Sequence, residues 1–134
     1  MNMKTIETRK DIHHLVNTFY AKVRKDELLG PIFNSHIAKE EWPEHLNKLT
    51  DFWETNLMGI AKFKGNPTLK HRNVDANLDY KIDQVHFGKW LQLWFETINE
   101  LFEGDLATKA KESARNMAAG QFLMIWKNRP ANTK

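Results

Sequence analysis

Six histidines hold most of the chemical potential of this sequence: His13, His14, His36, His45, His71 and His86. The chain has no cysteine, which excludes disulfides, thiolate catalysis, Cys-ligated zinc and iron–sulfur clusters. Imidazole is then the strongest metal ligand left, and the one side chain whose ordinary titration falls near neutral pH. His13, His14 and His36 stand among polar residues and read as surface histidines. His86 opens a strongly apolar stretch and reads as a hydrogen-bonded core or edge histidine. His45 precedes Leu49 by four residues and Phe52 by seven, so on a helix it shares their face. His71 is flanked by Leu69 and Val74 on a short helical piece. A lone histidine on an apolar face is usually structural, but two of them can face each other across a flat cofactor.

Two aromatic donors add to this. Tyr20 follows Phe19 on an apolar helical stripe, and Trp90 falls in the middle of a strongly apolar stretch. Each carries a polar donor on an apolar body, and a buried donor needs an acceptor. Backbone carbonyls are the plain choice of acceptor; a ligand held at a metal is the functional one. Other chemistries lack their signatures. No HExxH or Glu-x-x-His occurs, no GxGxxG or GxxxxGK[ST] loop can cradle phosphate, and there is no GxSxG elbow. Asp11/His14 and Asp83/His86 have one-turn spacing, but no pair of glutamates supports them as a di-iron site.

The elements that must position these groups are helices. The 134 residues fit a single domain spanning 1–134, with its core at about 8–127, large enough for one real core. Apolar residues make up 41% and charged residues 28%, an ordinary globular balance, so the eight Phe and five Trp call for either a strongly aromatic core or a flat body inside it. The net charge is +3, but basic and acidic residues alternate along the chain with no run of like charge, which argues against nucleic acid as a partner. No signal peptide is visible and no stretch approaches a membrane span, so a cytoplasmic protein without a membrane partner is expected.

From Thr8 to Asp26 the residues Ile12, Leu15, Val16, Phe19 and Val23 recur at helical spacing, with Thr8 and Asp11 as a capping box. That helix must stop before Gly30-Pro31. A second runs from about Trp42 to Met58, with Pro43 in its first turn and Gly59 to close it. Asn66 and Pro67 can open the short piece that carries His71. A third runs from about Lys81 to Glu103, apolar on nearly every side, which predicts a place in the middle of the fold. Gly104 ends it. A fourth runs from about Asp105 to Trp126, presenting Leu106, Ala110, Ala114, Met117, Gln121 and Met124. The class is all-α, with no strand pattern of useful length.

Four runs resemble the group III truncated haemoglobins. FYAKVRKDELLGPIF (19–33) is similar to their B helix and the turn after it, and EEWPEHLNKLTDFWE (40–54) to their E helix. FKGNPTLKH (63–71) resembles the approach to their proximal histidine, and HFGKWLQLWFETINELFEG (86–104) their G helix. The likeness continues to about Trp126, in order, over nearly the whole chain. It implies a truncated globin fold, a 2-on-2 helical sandwich around haem b (iron protoporphyrin IX). It implies His71 as the axial iron ligand, Tyr20, His45 and Trp90 around the distal ligand, and Phe33 and Leu49 as cofactor-contacting walls. Lys48, Lys70 and Arg72 are candidates for the propionates. The ligands expected are O₂, NO and CO. Without a reductase domain or a flavin or nicotinamide motif, any NO-dioxygenase or peroxidase turnover needs an external reductase. A monomer is expected. The alternatives are a haem-based sensor or carrier acting through a partner, and a cofactor-free helical interaction module.

Overall fold

The computed structural model describes residues 4–59 and 84–127. Its first long helix, α1 (Arg9–Lys25), begins where the sequence places it, at the N-cap Thr8. The Asp11 carboxylate accepts the backbone N–H groups of Glu7 (2.9 Å) and Thr8 (3.2 Å), and it pairs with Lys4 Nζ at 2.8 Å. A negative charge on the first turn also suits the helix dipole. The apolar stripe Ile12, Leu15, Val16, Phe19 and Val23 is wholly buried. At the other end, Asp26 Oδ2 accepts the N–H groups of Leu28 and Leu29, both at 3.0 Å, and turns the chain.

A seven-residue helix, α2 (Gly30–His36), follows. The sequence reading took Gly30-Pro31 only as a stop. In the fold the pair also begins an element, with proline in its first turn, where the missing N–H costs little. Gly30 is there because α2 starts against the last turn of α1: a Cβ at this position would lie 2.7 Å from the Arg24 carbonyl oxygen. This close approach is what brings Phe33 to within reach of Tyr20.

After a 3-10 turn at Lys39–Glu41 comes α3 (Trp42–Met58), with Pro43 in its first turn. Gly59 closes it in the left-handed region at φ +71°, its N–H bonded to the Thr55 carbonyl. The predicted helix on residues 67–71, and with it His71, Lys70 and Arg72, lies outside the described residues. Then α4 (Gln84–Leu101) and α5 (Asp105–Lys127) form the second half.

Two expectations for α4 need correction. It ends at Leu101 rather than near Glu103, because Phe102–Glu103 leaves the helix to form β2. That strand pairs in parallel with β1 (Lys4–Thr5), Lys4 opposite Phe102 and Thr5 opposite Glu103. Gly104, at φ +99°, follows with Thr5 Cγ2 only 3.1 Å from where its Cβ would be. Nor is α4 buried all round. Leu93, Trp94, Thr97 and Ile98 are buried, while Trp90, Leu91, Phe95 and Leu101 remain half-buried beside the core.

The arrangement is two helix pairs, α1 with α3 and α4 with α5, with α1 also packed on α4 and α3 on α5. Ala107, Ala110, Ala114 and Ala118 let α5 approach closely. Two buried hydroxyls are satisfied within their own helices: Thr50 and Thr97 each donate to the carbonyl four residues earlier, at 2.7 Å. Buried Glu54 pairs with Arg9 at 3.1 Å, and Arg9 also reaches Asp51. Among the described residues no helix is long and apolar enough to cross a membrane.

Candidate functional site

Three elements bring one group of side chains together. From α1 comes Tyr20, buried, with its ring edge-on to Phe19 at 4.7 Å between centroids. From α2 comes Phe33, whose ring centroid lies 5.9 Å from that of Tyr20. The first turn of α3 supplies Trp42 and His45, at 6.0 and 6.3 Å from the Tyr20 ring and 5.4 Å from each other. Trp90 of α4 completes the group through a hydrogen bond from its indole to the Tyr20 phenol. Leu49 stands one turn beyond His45, half-buried at the edge of the core.

The α3 register explains how this surface arises. Thr50, Trp53, Glu54 and Leu57 turn into the core. His45, Leu49, Phe52 and Asn56 form the adjacent row, at spacings of four, three and four, and stay half-buried. Over eleven residues that row is about 16 Å long.

Trp42 is the residue that sequence reasoning left without a role; it read only as the start of a helix. It is 2% exposed and the guanidinium of Arg24 lies 4.6 Å over its ring. Among the described residues its buried Nε1–H meets no hydrogen-bond partner, and neither does Oδ1 of Asn56 at the other end of α3. No feature of the linear sequence marks this, because the burial arises from α1, α2 and α3 together.

The remaining histidines fall elsewhere. His13 and His36 are exposed and hydrogen-bonded, His13 with Asn17 and His36 with Ile32 and Ser35, and His14 is exposed. His86 is half-buried near the start of α4. Lys48 is largely exposed and lies 3.7 Å from Glu44. Among the described residues no cluster of three or more His, Asp or Glu could hold a metal ion by itself.

The model of the bacterial-like globins matches residues 4–121. The chain belongs to that globin family. A group 3 truncated haemoglobin of Campylobacter jejuni is 34% identical over 129 residues, which cover 95% of this globin and 97% of the relative. The crystal structure of a group III truncated haemoglobin from the same organism superposes with a TM-score of 0.82 at 33% identity, over 97% of this chain and 99% of that one. The fold is the truncated globin fold, all-α as the sequence indicates, with the two-residue strand pair added.

Membership implies a haem cofactor, and the residues present fit one. In the half-buried row of α3, Leu49 and Phe52 offer an apolar wall. Above its N-terminal end stands an aromatic cluster whose polar groups are mainly donors: the Tyr20 hydroxyl, the Trp42 indole and the Trp90 indole. A hydroxyl has one hydrogen and two lone pairs. Since Trp90 donates to the Tyr20 oxygen, the Tyr20 hydrogen is free to point at something else.

Burial holds the Tyr20 phenol in its neutral form, raising its pKa to about 12, with the Trp90 hydrogen bond opposing the shift. The donor therefore persists at any physiological pH. It also makes this globin sensitive to alkali. The unfolded chain ionises this phenol near its ordinary value of 10, so stability is intact below about pH 10 and is lost as pH rises toward about 12. The loss attributable to Tyr20 is about 2–3 kcal/mol. Urea unfolding across this range is expected to fall less steeply for Tyr20→Phe than for the wild type. Parallel slopes would mean that the phenol is not shielded.

Proposed function

We propose that this globin binds haem b through His71 and holds O₂ and other diatomic ligands, NO and CO among them, in the pocket formed by Tyr20, His45 and Trp90. Phe33 and Leu49 are its walls. The observation that supports this reading best is the pair of donors made by buried Tyr20 and half-buried Trp90, joined by His45 at ring-contact distance. A buried cluster of donors with too few acceptors is suited to a guest that brings negative charge.

When bound, haem supplies an iron with an open position for such a ligand. The chain's own residues do the rest. The Tyr20 hydroxyl donates to charge that accumulates on the guest. Trp90 fixes the orientation of that hydroxyl by occupying its oxygen. Phe19, Phe33 and Trp42 surround the phenol and exclude water from it, which strengthens each donor because the surroundings cannot screen it. His45 stands at the edge of the group as a third polar side chain. Hydrogen bonds to charged partners are worth about 1.5–3 kcal/mol, so donors of this kind favour slow release over ready delivery. Oxidative handling of NO or peroxide, with electrons from an external reductase, fits such a site better than O₂ transport does. We read the protein as a monomeric cytoplasmic one.

The test is spectroscopic. Protein purified with haem supplied is expected to show a Soret band that shifts on reduction and again on addition of CO or O₂. Its absence under haem-replete conditions would end the globin-function reading in favour of a cofactor-free helical module. Stopped-flow mixing of the oxy form with NO then separates the chemistries. Nitrate formed at close to the encounter rate, and sustained by a reductant, indicates NO removal; slow reaction with both NO and peroxide indicates ligand binding or sensing.

A further inference from the structure

Three indoles lead inward from the Tyr20 phenol. Trp90 is bonded to it. Trp94, one turn along α4, lies nearly parallel to Trp90, with centroids 6.1 Å apart and planes at 7°. Trp53, from α3, stacks on the far side of the series against Trp94 at 4.5 Å and 23°. Phe19 braces them edge-on, 5.5 Å from Trp90 and 4.9 Å from Trp94. Edge-to-face and offset contacts are both ordinary ways of filling a core, so packing alone does not require three indoles in one series. What the series adds is a continuous run of the most easily oxidised aromatic side chain, with π-overlap greatest at its inner end.

The two ends differ in a way that sets a direction. A stacked indole pair shares a positive charge and gives up an electron more readily than a single ring. The Trp53–Trp94 pair is buried, and Trp94 Nε1–H donates to the Ala110 carbonyl at 3.1 Å. A carbonyl does not take the proton, so the charge stays on the pair. Tyr20 must lose a proton to be oxidised, and its bonded neighbour Trp90 is a donor, not a base.

We propose that Trp90, Trp94 and Trp53 form an electron relay, delivering one electron from the core to the distal pocket when peroxide is reduced there. This rests on the haem reading above. Reducing one hydrogen peroxide to two waters consumes two electrons and two protons. The protons come from solvent. One electron comes from the haem iron and one from the Trp53–Trp94 pair, which is left as a tryptophan radical. Two electrons from an external one-electron donor of the ascorbate class restore the indole and the iron.

The experiment mixes haem-loaded protein, its Soret band verified, with equimolar hydrogen peroxide and freezes it for electron paramagnetic resonance. Unlabelled protein is compared with protein containing ring-deuterated tryptophan. An organic radical whose signal narrows with the label is expected, together with oxygen additions at Trp53 or Trp94 in peptide maps. Ascorbate added first is expected to suppress both. Trp94→Phe interrupts the series and is expected to lower oxidation at Trp53 severalfold while raising it at Trp90 or Tyr20. The wild type decides the matter even if that variant does not fold. A radical indifferent to the label, oxidation confined to methionines, or no spectral response of the haem to peroxide overturns the relay. A missing Soret band overturns the haem reading itself and the relay with it.

Discussion

Haem-replete His71→Gly protein is expected to emerge almost free of cofactor, and to regain a ferrous Soret band when imidazole is added. The proposal that His71 is the axial ligand comes from its place in GNPTLKH, a segment outside the described residues. The rest of the molecule supports it indirectly. Among the histidines in the described part, His13, His14 and His36 are exposed. His45 belongs to the same cluster as Tyr20 and Trp42, where the proposal places the diatomic ligand. On that proposal, replacing the imidazole by hydrogen would remove the tie to the iron and leave a void that free imidazole can fill, hence the expected rescue. The expected loss of haem retention is at least a hundredfold, since roughly 3 kcal/mol corresponds to a factor of that size and a metal–ligand bond contributes more. An unaltered ferrous spectrum in the variant would transfer the axial role to His45 or His86.

The long helices were legible because their ends are marked locally. Thr8, Pro43 and Gly59 each act through neighbours a few residues away, and α3 begins and ends at the residues that its cap signals indicate. The aromatic cluster was legible through resemblance: Tyr20, Phe33, His45 and Trp90 do meet. What could not be read is what depends on distant chain segments. The β1–β2 pair joins residues nearly one hundred positions apart over two residues each, too short to show any alternation. The start of α2 at Gly30 is dictated by the Arg24 carbonyl of the preceding helix. The apolar circumference of α4 suggested burial on all sides, whereas one side packs into the core, Trp90 borders the candidate pocket, Phe95 lies beneath Lys111 and Arg115 of α5, and Gln92, Glu96, Asn99 and Glu100 are exposed. The burial of Trp42 has no sequence signal of any kind, because it depends on Tyr20 and Arg24 of α1 closing over it.

Tyr20→Phe and Trp90→Phe are expected to be more damaging together than the product of their separate effects. As independent donors, each would speed O₂ release by its own factor, and the factors would multiply. The hydrogen bond between them changes that expectation. Trp90 spends its N–H on the Tyr20 oxygen. Removing the Tyr20 hydroxyl takes away one donor to the ligand but frees the indole N–H, which can then turn toward the charge it formerly supported at second hand. Removing the indole leaves the Tyr20 hydroxyl as a donor, less firmly oriented but still buried among Phe19, Phe33 and Trp42. Each single variant thus keeps one charged hydrogen bond of about 1.5–3 kcal/mol, and its O₂ off-rate is expected to rise about tenfold. The double variant keeps neither, and a rise beyond about a hundredfold is expected, giving a coupling energy of the sign that contacting residues show. Off-rates from stopped-flow displacement of O₂ by CO measure all four corners of the cycle. Multiplicative factors would mean that the two donors act separately on the ligand. No change in any corner would mean that both point away from it, and His45 with Trp42 would then be the pair to replace next.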